Sequence, residues 1–299
     1  MKYTTFGRTG MTVSRLAVGG YPFSGVNKAQ GWDPYSPQGR ADAVRVVHAA
    51  LDAGINYVDT APSYGSGHSE SIIGDALQGR RDKVVLATKV AWPSSWADIG
   101  KEGVMRGVEE SLRRLKTDYV DVIQFHGGVY SHEDTQNLLN AGPMEALQTL
   151  REQGKVRWLG VTTEDAHSIM ELTGTGLFDM AQINYNLIYQ NPALHFLNRA
   201  KELQLGIAVM RPMTSGILQR LLEHLAPQLL ETEDIYKLCL KFLLSDSRVH
   251  LLNVGARWPE EVERNVRFLE SFEPEFDIAE LPRFTGKIYE SDDLRKGMA

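Results

Sequence analysis

The 299-residue chain has one cysteine, Cys239, and no apolar run approaching the ~20 residues that span a bilayer. The first shortage excludes an internal disulfide. Cys239 lies in the apolar helical pattern YKLCLKFLL and reads as a buried structural thiol, in keeping with a reducing, cytoplasmic setting. The second shortage removes a membrane as partner, and the opening MKYTTFGRTGMTVSRL lacks the apolar core of a signal peptide. Positive charge is also short. Thirty-two Lys and Arg stand against 38 Asp and Glu, a net charge of −6 with both signs interspersed, so no basic stripe exists to neutralise phosphates and nucleic acid is not expected as a partner.

A further absence narrows the fold. Between the first apolar run and the first amphipathic segment lies VGGYPFSGVNKAQGWDPYSPQGR, a long loop without G-x-G-x-x-G, which argues against a doubly wound dinucleotide-binding sheet. What is present is alternation. After a hairpin-like KYTTFGRTGMTVS come RLAVGG, INYVDT, KVVLATKV, YVDVIQFH, VRWLGVT, DMAQINYN, GIAVMRP and VHLLNVGA, each read as a strand and followed by a helical pattern. Eight such units predict a (β/α)8 TIM barrel with an N-terminal β-hairpin, continuous as one domain over residues 1–299.

Barrel chemistry collects at the C-terminal ends of strands. There the sequence sets Asp59, Lys89 and His126 on consecutive strands, then Gln182 and Asn184, with Tyr64 on the loop leaving Asp59. Each has an ordinary explanation alone: a turn acid, an exposed lysine, a hydrogen-bonded histidine, a loop aromatic. Together they suit proton donation. A phenol, with an ordinary pKa of about 10, is acidified by a neighbouring ammonium that a carboxylate holds in place. A histidine at the same mouth can orient a carbonyl oxygen.

With these residues in view, the chain resembles the aldo-keto reductase superfamily. The resemblance rests on GINYVDTAPSYGSGHSESIIGDAL, ATKV, DYVDVIQFH, GKVRWLGVT, QINYN and RPMTSG, and it covers nearly the whole chain. It implies that Tyr64 is the general acid, tuned by Lys89 and Asp59, with His126 orienting the substrate. It also implies NADPH, with NADH open, across the barrel mouth and no metal. Gly20, Tyr21 and Asp59 would meet the nicotinamide ribose; Gln182 and Thr162 the carboxamide; Arg211, Ser215 and Gly216 the pyrophosphate; Arg257 and Asn265 the adenosine end.

Three departures from the family pattern stand out: Thr162-Thr163 in place of Ser-Asn, Met210 where many members stack an aromatic ring, and Glu261 where some carry a base for the 2′-phosphate, leaving Arg257 to supply that charge. The expected substrate is a small carbonyl compound, sugar-like or aromatic, met by Trp32, Trp92, Tyr64 and His126 in loops that also carry Phe23, Tyr35 and Trp96. His132, Glu133 and Asp134 are expected on a solvated loop rather than around a metal, and Ser69 is expected to cap the helix after Tyr64. Two alternatives stay open. One is an aldose or sugar dehydrogenase running oxidatively; the other is a nucleotide-binding regulatory subunit on the same barrel.

Overall fold

The computed structural model describes residues 1–90, 93 and 95–280. Strands β1 (Tyr3–Thr5) and β2 (Thr12–Ser14) form an antiparallel hairpin, with Tyr3 opposite Ser14. The next eight strands are β3 (Leu16–Gly19), β4 (Tyr57–Asp59), β5 (Val85–Val90), β6 (Val120–His126), β7 (Val156–Thr163), β8 (Met180–Asn184), β9 (Gly206–Met210) and β10 (Leu251–Val254). They pair in parallel, and β10 returns to β3 to close the barrel. Closure leaves no sheet edge, so each strand is buried on both faces, as its nearly continuous apolar run requires.

Helices cover the outside. The one spanning Pro37–Asp52 shows why these segments are helical: Ser36 Oγ accepts from Gly39 N–H at 3.0 Å, Pro37 sits in the first turn, and Ala43, Val46, Val47 and Ala50 form one buried face. Those side chains join the outward-facing strand residues in a single apolar layer between helices and barrel.

Inside the barrel, side-chain alternation sorts the residues by height. Ala17, Tyr57, Ala87, Val122, Met180, Ala208 and Leu251 form an apolar floor with Phe6 and Val13. Two residues further along the same strands stand Gly19, Asp59, Lys89, Gln124, Gln182, Met210 and Asn253. A period of two keeps both sets pointing inward, so a mostly polar layer rests directly on an apolar one. The strands lead from the dry end of the barrel to the chemical end.

The hairpin seals the dry end. Phe6 is fully buried, its ring edge-on to Tyr57 at 5.7 Å and to His250 at 5.8 Å. A methyl group on Gly206 would lie 2.9 Å from that ring, so the first residue of β9 has no room for a side chain. The helix after Tyr64 differs from the sequence expectation. It spans His68–Ala76 with Gly67 at its N-cap, and Ser69 does not cap it. The Ser69 hydroxyl instead lies 2.9 Å from both Gly20 O and Thr60 Oγ1, tying together the chain segments leaving β3 and β4.

Replacing Phe6 by Ala should lower the free energy of unfolding by about 3–5 kcal/mol, because it empties the plug against a floor that cannot collapse. Urea denaturation checks this; a loss near zero would mean the hairpin does not seal the barrel.

Candidate active site

The polar layer is organised around Lys89. Its ammonium, on a side chain only 1% exposed, lies 2.7 Å from Asp59 Oδ2, 2.8 Å from Thr60 O and 3.3 Å from Tyr64 Oη. Asp59 is held in turn: Gln124 Nε2 donates to Oδ1 at 3.0 Å, and Gln182 Nε2 lies 3.5 Å from Oδ2. Strand order explains the convergence, since β4, β5 and β6 are neighbours: Lys89 pairs in register with Gln124, and Asp59 with Ala87, two residues before Lys89. Tyr64 arrives from the loop after β4, where Gly65, Ser66 and Gly67 all take left-handed backbone angles and turn the chain back over the mouth. The rings of Tyr21 and His126 meet Tyr64 edge-on at 5.2 and 5.9 Å.

The electrostatics refine one expectation. Burial raises the Tyr64 pKa, and the opposing pull of Lys89 does not cancel it, so the phenol keeps its proton at neutral pH. Burial also works against the Lys89 ammonium, but Asp59 and Tyr64 outweigh it and the net shift is upward. His126 is driven down to about 3 by burial and by the charge on Lys89, so it is neutral at pH 7. Its Nδ1 lies 3.2 Å from Ser63 Oγ. The mouth thus presents a protonated phenol, a charged amine behind it and a neutral imidazole beside it.

A cavity of about 460 Å³ opens over these groups. Asp59, Tyr64, His126, Gln182, Tyr21, Met210, Arg211 and Ser215, all singled out in the sequence, line it. So do several that sequence reasoning passed over: Gly19, Ser63, Glu164, Asn253 and Gly255. Strand parity is a signal that could have found Asn253, and Gln124 behind the wall, because each is a polar residue at an inward position. Thr162 pairs in register with both His126 and Gln182, buried, and its Oγ1 accepts from Gly127 N–H at 3.4 Å.

Other expected residues stand elsewhere. Gly20 does not line the cavity; it is packed against Ser69, whose Oγ would lie 2.6 Å from any Cβ placed there. Gly216 starts the helix Ile217–Leu225 just beyond Ser215. Arg257 is outside the lining and bonded to Glu261, through its N–H at 2.8 Å and its guanidinium at 3.2 Å. Asn265 faces a small apolar crevice with Val18, Val46 and Val262. Arg211 has a left-handed backbone (φ 56°), its carbonyl accepts from Asn186 Nδ2, and its guanidinium is paired with Glu164 at 2.6 Å.

The aromatic mouth needs correction. Trp32 is 3% exposed and packs against Phe23 and Trp258, because the loop after β3 folds these two of its rings, Phe23 and Trp32, inward and removes their apolar area from water. Trp96 is likewise buried, against Phe125 and Tyr130. Tyr35 stacks on His68. Trp92 lies outside the described residues. The exposed ring on the cavity wall is Tyr21, at 55%. The segment after Ser131 is also corrected: it is a helix, His132–Asn140, with a Ser131–Asp134 capping box, and His132 pairs with Glu171. No group of three or more His, Cys, Asp or Glu able to hold a metal occurs among the described residues.

The sequence profile of the aldo/keto reductase family matches residues 16–287. Pyridoxal 4-dehydrogenase of Microbacterium luteolum is 26% identical over 90% of this chain and 93% of its own length. An aldo-keto reductase of Bacillus halodurans, solved in its holo form, matches with a TM-score of 0.74 at 26% identity over 92% of both chains. An aldo-keto reductase of Klebsiella pneumoniae, solved in complex with NADPH, matches with a TM-score of 0.74 at 25% identity, covering 95% of this chain and 94% of its own.

The depressed His126 pKa has a visible consequence. Between the ordinary 6.5 and about 3, the unfolded chain binds a proton at this residue that the native site refuses, so stability falls as pH drops through that window. Ring resonances of His126 followed by NMR should stay flat from pH 8 to about 5 on this account; titration near the ordinary value would overturn it.

Proposed function

The chain belongs to the aldo/keto reductase family, and from that premise we propose that it is an NADPH-dependent oxidoreductase reducing an aldehyde or ketone to the alcohol. Tyr64 is the general acid in this reading. The observation that carries it is the buried Lys89 ammonium, held by Asp59 and Thr60 and aimed at the Tyr64 hydroxyl.

When bound, reduced nicotinamide supplies the hydride. The residues of the chain manage the oxygen. Neutral His126 donates a hydrogen bond to the substrate carbonyl and fixes its direction. As charge gathers on that oxygen, Tyr64 transfers its proton to it, and the resulting phenolate is stabilised by Lys89 at 3.3 Å. Asp59 keeps the ammonium in place without touching the substrate. In the oxidative direction the same groups act in reverse, the Tyr64 phenolate taking the proton from an alcohol.

For the cofactor, Gln182 and Thr162 supply amide and hydroxyl groups suited to a carboxamide. Met210 supplies a polarisable wall for a ring, and Arg211 with Ser215 a cation and hydroxyl for phosphates. Gly20 and Tyr21, at the start of the loop after β3, stand on the side proposed for the nicotinamide ribose. The adenosine end falls to Arg257 and Asn265. The substrate is a small aromatic or sugar-like carbonyl compound that stands between Tyr21, Tyr64 and His126. A second reading, NADH as the working cofactor, is favoured by the Glu261 carboxylate, which occupies Arg257 and would repel a 2′-phosphate.

Tyr64→Phe should lower kcat by about 10²–10⁴-fold while leaving the dissociation constant of the dinucleotide within about twofold. Stopped-flow turnover beside fluorescence titration checks both, and surviving turnover would remove Tyr64 from the role of acid. Glu261→Gln, which frees Arg257, should tighten NADPH several-fold more than NADH; an equal change in both would place the 2′-phosphate away from this pair.

A further inference from the structure

One residue of the eighth barrel strand breaks its apolar run. β10 reads Leu251, Leu252, Asn253, Val254, and alternation sends Leu251 into the floor and Asn253 into the polar layer above it. There it lines the cavity and is 8% exposed. Its Nδ2 donates to Gln182 Oε1 at 2.8 Å. Its Oδ1 is buried and has no hydrogen-bond partner among the described residues.

An amide carbonyl left in this state carries its desolvation cost without return. Turning the amide over does not cure it, because Gln182 Oε1 would then face another carbonyl. Turning Gln182 as well would take its Nε2 away from Asp59 and set its own oxygen 3.5 Å from the carboxylate. The arrangement is therefore directional. Gln182 holds Asn253 with its oxygen and Asp59 with its amide nitrogen, each with one further hydrogen-bonding site, and the acceptor on this wall with no partner is Asn253 Oδ1.

A lone buried acceptor at a cavity wall selects a donor, which excludes phosphate and carboxylate groups and favours N–H or O–H. Its place decides which. Asn253 stands in the polar layer with Asp59 and Lys89 and lines the same cavity as Tyr64 and His126. Resting on the nicotinamide reading above, we propose that Asn253 is a cofactor-positioning residue: its Oδ1 accepts a hydrogen bond from the carboxamide N–H of nicotinamide while its Nδ2 holds Gln182 in orientation. The carboxamide is the group that fixes the rotation of the ring, so an acceptor there bears on the pose of the reacting face. The same contact lets one amide, Asn253, transmit the position of the ligand to another, Gln182, which touches Asp59.

The test is a binding cycle between residue and cofactor group. NADPH, its 3-acetylpyridine analogue (a methyl in place of the amide nitrogen) and 2′-phospho-ADP-ribose (no nicotinamide) are titrated by intrinsic fluorescence against the wild type, Asn253→Leu and Asn253→Ala. The wild type should prefer the carboxamide over the acetyl compound by about tenfold, and both variants should cut that preference by about fivefold, the scale of one net hydrogen bond. Affinity for the nucleotide without nicotinamide should not move. An unchanged preference in a variant that still binds 2′-phospho-ADP-ribose overturns the proposal. So does a wild type that binds NADPH and its acetyl analogue equally, which decides the matter even if neither variant folds. A wild type that binds none of the three removes the cofactor reading itself, and the proposal with it.

Discussion

The ion pair between Lys89 and Asp59 is the interaction on which the rest of the site depends. Both side chains are almost fully removed from water, and such a pair survives only if further hydrogen bonds replace the lost hydration. Thr60 O completes one side of the ammonium, and Gln124 with Gln182 completes the carboxylate. Four barrel strands and the turn after β4 thus converge on one buried charge pair. The remaining direction of the ammonium is toward Tyr64, which is how a structural requirement, satisfying a buried cation, becomes a chemical device.

The barrel makes this possible by separating its interior by height. The apolar floor and the Phe6 plug keep water out from below, so the polar layer is reached only from the mouth. In that setting electrostatic effects are larger than at a surface. They show in the direction of the shifts: the phenol is pushed up by burial, and the imidazole is pushed down until it is neutral across the ordinary pH range. A protonated phenol and a neutral imidazole coexist with ring centroids 5.9 Å apart because burial disfavours the charged form of each, more than Lys89 draws the phenol toward phenolate.

Toward solvent, the rule is compensation. Arg211 and Arg257, the cations proposed for phosphates, are each paired with a carboxylate, Glu164 and Glu261. The Arg211–Glu164 pair is exposed, so it is weakly held and screened by salt, while Arg257–Glu261 is part-buried and further tied by a backbone N–H. The surface around these arginines is accordingly less positive than their number suggests.

Much of this was legible in the sequence. The eight strands, the hairpin, and the positions of Asp59, Tyr64, Lys89 and His126 follow from periodicity and from the rule that barrel chemistry sits at strand ends. Local patterns carry that information because alternation and turn chemistry act over a few residues. The rings were misread for the opposite reason. Trp32 and Trp96 look like mouth residues in a loop-by-loop reading, but whether a ring lines a cavity or seals a core depends on distant partners, Phe23 and Trp258 for one, Phe125 and Tyr130 for the other. The same holds for Arg257, which Glu261 holds one helical turn on, and for Asn253, whose amide is oriented by Gln182 from β8, two strands away around the barrel. The sequence alone determined the barrel and which polar side chains stand at its strand ends, which are properties of local order. Tertiary structure decided which polar atoms are paired and which are left over, because hydrogen-bond saturation is settled between strands far apart along the chain.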